Sequence, residues 1–169
     1  MKSFLAGVIV TLVCIAGGVC AYFSRGSAPV ATTAPPMPFE RRLAHMALDA
    51  RLQKEMPKTV PIEADEANYL AGARQYLTHC AVCHGAPGKE PTAIARGEFP
   101  KLPELLKGTG VTDDPPGETY WKVANGIRLT GMPGFSQSLS PTEMWQISLM
   151  LANADKLPPS VTAVLKGQQ

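Results

Sequence analysis

The chain has 169 residues, 45% of them hydrophobic and only 18% charged, which is room for one domain of ordinary size with segments left over for tails or anchors. Sixteen basic against fourteen acidic residues leave a formal charge of +2, which excludes the basic stripe of a nucleic-acid binder. Sixteen prolines and fifteen glycines point to short elements and many turns, not to long helices or a deep sheet.

From Phe4 to Phe23 no residue is charged. A helix over residues 4–23, at about 1.5 Å per residue, crosses a hydrocarbon core of roughly 30 Å. Lys2 and the free amine precede it and Arg25 stands alone after it, a slight bias that puts the N-terminus in the cytoplasm and the rest outside. A cleaved signal peptide is the rival reading, with Val19-Cys20-Ala21 as its cleavage site, but the apolar run exceeds the about 7–15 residues of a signal core and favours an uncleaved anchor. Cys14 and Cys20 inside the run read as small apolar residues.

Residues 24–38 hold four prolines and no apolar periodicity, so they form an extended linker. Residues 39–57 follow as a short amphipathic helix with Phe39, Leu43, Met46, Ala47 and Ala50 in helical spacing, stopped by Pro57. It either packs on the downstream domain or docks on a partner or on lipid headgroups. Charge divides along the chain: residues 1–61 carry seven basic and three acidic side chains, residues 62–169 nine and eleven.

Residues 62–155 are predicted to form the folded domain, with 156–169 as a C-terminal tail. A helix is expected over residues 63–80, with Ala67, Leu70, Ala71 and Leu77 on its apolar positions and acids in its first turn, where the helix dipole favours them. At its end stands Cys80-Ala81-Val82-Cys83-His84, the pattern of covalent c-type haem attachment. Two thiols three residues apart on a helical turn can each add to one haem vinyl group, and the adjacent His84 is carried under the ring to the iron. A thioredoxin-like site lacks the βαβ context, and a closed zinc site lacks a fourth ligand, since His79 is too crowded in sequence. A disulfide is the third rival. His79 is expected as an exposed helix-end residue.

Residues 86–118 are rich in loops, with a helical turn or two at Leu102–Lys107, and a third helix begins at Tyr120–Asn125. The sixth iron ligand is sought among seven methionines. Met1, Met37, Met46 and Met56 lie in the upstream segments, and Met144 and Met150 belong to an amphipathic core helix. Met132 remains, in Thr130-Gly131-Met132-Pro133-Gly134-Phe135, where the glycines and proline let a loop press against a flat cofactor. A thioether suits haem iron and raises its potential relative to a second imidazole. Ser140-Pro141-Thr142-Glu143 is a capping-box signature that opens a last helix through Asn153, and Gly72 lets it cross the first domain helix closely near Tyr76 and Trp145. No strand pattern appears.

Residues 63–155 resemble a class I monohaem cytochrome c of the kind grouped with the haem subunits of cbb3-type oxidases. The resemblance rests on Gly72 and Tyr76 leading into CAVCHG, on FPKL at 99–102, YWKVANGI at 120–127, TGMPGF at 130–135, and the closing SPTEMWQISLMLAN. It implies an all-α fold of several short helices around one covalently bound haem c, held by Cys80 and Cys83 with His84 and Met132 on the iron. By the same resemblance Pro100 accepts a hydrogen bond from His84, and Tyr120 and Trp121 lie near the haem or the helix contacts beside it. Leu102, Ile127, Pro133 and Phe135 complete the implied pocket. The implied activity is transfer of single electrons between redox partner proteins or within a membrane complex of a respiratory or photosynthetic chain, not catalysis. Thioether formation in such systems takes place outside the cytoplasmic membrane, so the expected arrangement is a single-pass inner-membrane protein with its haem domain on the periplasmic side. The alternative is a haem enzyme or a gas or redox sensor with an open sixth position, but no distal acid or base stands out.

Overall fold

The computed structural model describes residues 1–167. Among them are eight helices and no strand: α1 (Lys2–Ser24), α2 (Glu40–Glu55), α3 (Glu66–His79), α4 (Ala81–His84), α5 (Ala93–Gly97), α6 (Pro116–Asn125), α7 (Pro141–Ala152) and α8 (Pro159–Leu165). The chain divides into two compact units, Met1–Leu43 and Ala44–Gln169.

The first unit is built on α1. An 18-residue window of this helix has a mean hydropathy of 2.5 and none of it is buried, so it is long and apolar enough to cross a membrane. Turns and bends follow, and Glu40 opens α2 by accepting from the Met37 amide at 2.8 Å.

The second unit is organised by the crossing of α3 and α7. Asp65 caps α3 by accepting from the Asn68 amide at 2.8 Å. Ser140 and Glu143 form the expected reciprocal capping box of α7, with Pro141 at its first position. At the crossing, a Cβ added to Gly72 would overlap the Gln146 carbonyl oxygen, so only glycine lets the two backbones approach this closely. Polar side chains flank the contact: Gln75 donates to Glu143 at 2.8 Å and Gln146 to Asn68 at 2.9 Å. Below it lies a core of Ala73, Tyr76, Ile147, Met150, Leu151 and Val161, each essentially inaccessible. Burying side chains of this size contributes about 1.5–3 kcal/mol each for the larger aliphatic ones. Met144 and Met150 are core residues, as the helical pattern requires.

α6 packs on α7 through Tyr120 stacked on Trp145, ring centroids 4.2 Å apart and planes 18° apart. It runs from Pro116 and ends at Asn125, so the segment expected to begin a helix instead closes one. Leu102–Lys107 holds a turn at Leu105–Leu106 and no helix, and the loop-rich region carries a short helix elsewhere, α5, capped by Thr92.

One expectation about the flanks is overturned. Residues 156–169 are expected as a tail, but among the described residues α8 packs on α3, with Val161 and Leu165 buried in the core and Ser160 hydrogen-bonded to Glu66. Val161, Val164 and Leu165 have the i, i+3, i+4 spacing of a buried face, hidden in the sequence by the prolines at 158 and 159. In α2 the buried residue is Leu52, with Leu48 and Met56 half-buried four residues to either side. The expected stripe is exposed: Phe39 is 71%, Leu43 62% and Met46 58% accessible. The segment from Ala44 belongs to the same compact unit as the haem motif, and Trp121 of α6 donates to Glu55 of α2 at 3.3 Å.

Two substitutions test this architecture. Gly72→Ala forces α3 and α7 apart and is expected to cost about 1–3 kcal/mol despite alanine's better helix propensity, read from chemical denaturation. Leu165→Ala, in a residue that a tail would leave free, is expected to cost about 2–5 kcal/mol by the same measurement.

Candidate functional site

The site begins where α3 ends. Cys80 is the last-turn cap of α3 and the first cap of α4, and its amide donates to the Tyr76 carbonyl at 2.8 Å. The Cys83 and His84 amides both donate back to the Cys80 carbonyl, at 3.1 and 2.9 Å. The five residues therefore make one helical turn, on which positions i, i+3 and i+4 share a face. Cys80, Cys83 and His84 occupy those positions. Gly85 ends the turn at φ +78, and its carbonyl accepts from the buried Tyr76 hydroxyl at 2.8 Å. Burial, reinforced by the nearby Cys80, holds that hydroxyl well above its usual range, so it remains a donor at neutral pH.

The imidazole is oriented from the other side. His84 Nδ1 lies 3.0 Å from the Pro103 carbonyl oxygen. A carbonyl only accepts, so Nδ1 carries the proton and Nε2 keeps its lone pair for a metal. The partner expected from the resemblance was Pro100. The carbonyl three residues further along takes the bond instead.

Met132 sits in a loop stitched to the C-terminus of α6. Gly126, at φ +67, turns the chain out of α6, and the Ile127 amide donates to the Met132 carbonyl at 3.2 Å. The Phe135 amide donates to Val123 at 2.9 Å. A Cβ at Gly126 would collide with the Met132–Gly134 backbone, and one at Gly134 with the end of α6. These two glycines set the loop's distance from the helix. Cys80, Ala81, Leu105, Leu106, Met132 and Phe135 all pack, half-buried, against one core. His79, expected to be exposed, is half-buried and meets Phe135 edge to face at 5.9 Å between centroids, which joins the end of α3 to the Met132 loop.

The remaining pocket candidates fall out unevenly. Leu102 and Ile127 are half-buried and Pro133 is exposed. Tyr120 and Trp121 make the helix contacts to Trp145 and Glu55 described above. Sequence reasoning missed Pro103, whose role is played by a backbone oxygen, and Glu98, whose carboxylate touches Gly131 beside Met132.

The donor set suits a covalently held haem. Both cysteines are free thiols, and burial, with Cys83 adding to the effect, pushes the Cys80 thiol up to about 12. Burial therefore disfavours a free thiolate at Cys80. Among the described residues no three His, Cys, Asp or Glu side chains converge as a metal-ion cluster. An imidazole with a free Nε2 and a soft thioether are the pair that haem iron takes.

An all-helical domain with this turn and this loop is of the c-type cytochrome class. Residues 67–149 match the family model described as cytochrome c oxidase, cbb3-type, subunit III, and form a c-type cytochrome domain. Among solved structures it is similar to a chain of the reducing HAO-like protein complex of Kuenenia stuttgartiensis, at 22% identity and a TM-score of 0.48, covering 62% of this chain and 53% of that one. The chain thus spans about half the length of that relative. No curated protein matches.

Gly126→Ala tests the positioning of Met132. It places a Cβ on a backbone at φ +67 and against the Met132 carbonyl, and is expected to cost about 1–3 kcal/mol in stability and to weaken the near-infrared sulfur-to-iron band of the oxidised protein.

Proposed function

We propose that the chain is a membrane-tethered, single-haem electron carrier, with Cys80 and Cys83 as thioether donors and His84 and Met132 as the axial ligands. The observation that carries this reading is the single turn Cys80–His84, with His84 Nδ1 donating to Pro103 so that Nε2 is free. When bound, the haem supplies a reversible one-electron couple at its iron.

The chain's own residues keep that couple fast and selective. Pro103 fixes the tautomer and the plane of His84, so the ligand does not rotate when the charge at the site changes. The glycines at 126 and 134 hold Met132 against α6. Tyr76 pins the chain just after His84. A preorganised ligand pair that moves little between oxidation states keeps the reorganisation cost of transfer low. The family supports an electron-transfer role, and Met132 on the shared core supports a closed sixth position over an open one.

In this reading α1 is an uncleaved anchor in the cytoplasmic membrane, residues 24–38 are a tether, and the haem domain works outside, between a donor and an acceptor of a respiratory or photosynthetic chain. A tether of about 15 residues confines the domain to the neighbourhood of membrane partners and raises their effective concentration.

Spectra of the protein purified from membranes test the proposal. The expected result is a c-type reduced spectrum, a sulfur-to-iron band when oxidised, and no carbon monoxide binding. Met132→Ala is expected to lose the band and gain carbon monoxide binding to the reduced iron. A wild-type protein that lacks the band and binds carbon monoxide readily overturns the carrier reading. Retention in the membrane pellet after alkaline extraction, with an intact N-terminus by mass, is expected for the anchor; release of a shortened chain refutes it.

A further inference from the structure

The Met132 loop is tied to α6 by its backbone, but on another side it meets a charge. A Cβ built on Gly131 would fall on the Glu98 carboxylate oxygens, so this carboxylate lies directly against the residue preceding Met132. Glu98 is half-buried and makes no salt bridge among the described residues. It is also the C-cap of α5, a helix whose other end is fixed to the attachment turn by the Thr92 hydroxyl, which donates to the Val82 carbonyl at 2.6 Å. α5 thus connects the His84 side of the site to the Met132 side and ends in an unneutralised carboxylate.

We infer that Glu98 is the residue that sets the charge balance of the site: a fixed anion beside the methionine ligand that favours the ferric state and lowers the reduction potential. The inference rests on the axial-ligand reading given above. Oxidation removes one electron from the iron and adds one unit of positive charge, so a neighbouring carboxylate stabilises the oxidised form more than the reduced one. Because Glu98 is half-buried, salt screens it less than it screens the carboxylates on the open surface. Glycine at 131 permits the contact, since any side chain there would displace the carboxylate from the loop.

The test is a potentiometric titration of the full-length protein, wild type against Glu98→Gln, with Asp155→Asn as an exposed carboxylate control. Glutamine keeps the shape and removes the charge, so the expected result is a raised potential with the sulfur-to-iron band and the melting temperature unchanged. The control is expected to leave the potential where it was, and the shift in Glu98→Gln to persist at high ionic strength. An unchanged potential in Glu98→Gln with the band intact overturns the inference while leaving the ligand reading standing. A shift that appears only with loss of the band also overturns it, because Glu98 would then be a packing residue. Absence of the band from the wild type refutes the ligand reading, and this inference with it.

Discussion

Everything in the haem domain hangs from the close crossing of α3 and α7 at Gly72. Because no side chain stands there, the α3 backbone rests on the Gln146 carbonyl, and that distance fixes where the end of α3 emerges from the core. Tyr76, one turn further along, is fully buried and reaches with its hydroxyl to Gly85. The attachment turn is therefore held by core packing at one end and by a buried hydrogen bond at the other. A wider crossing would move both cysteines and His84 together.

The proposed ligand on the other side, Met132, is fixed by a different kind of interaction. Met132 belongs to no helix, and its loop is defined by backbone hydrogen bonds to α6 and by two glycines that admit the close approach. α6 in turn is keyed to α7 through Tyr120 on Trp145. The two halves of the site are thus separate constructions that share α7, and they are linked again by half-buried His79 with Phe135 and by α5 with Glu98. In the proposed reading such a site resists relative movement of its ligands, which is what a one-electron couple requires of its protein.

Charge follows the same division. The upstream segment is basic and the folded domain mildly acidic, so the small total hides two opposite parts. Within the domain, acids serve local ends: Asp65 and Glu143 cap helices, Glu55 receives the Trp121 indole, and Glu98 faces the Met132 loop. The domain's small size makes these fixed groups matter, because little buried area is available to offset a misplaced one.

The sequence by itself determined what depends on short-range spacing. The i, i+3, i+4 placement of Cys80, Cys83 and His84, the capping box at Ser140, the apolar span of α1 and the small residue at position 72 are all local patterns with a direct physical reading, and together they define an all-α haem-binding domain. Only the tertiary structure decided what depends on contact between distant segments. It gave α8 to the core although its prolines made it look like a tail, and in α2 it buried Leu52, with Leu48 half-buried beside it, and left Met46 exposed. It chose the Pro103 carbonyl over Pro100 and set Glu98 on Gly131. Backbone oxygens are identical at every position, and an amphipathic pattern with two apolar stripes does not say which is covered. Those choices fall to packing, which no local pattern contains.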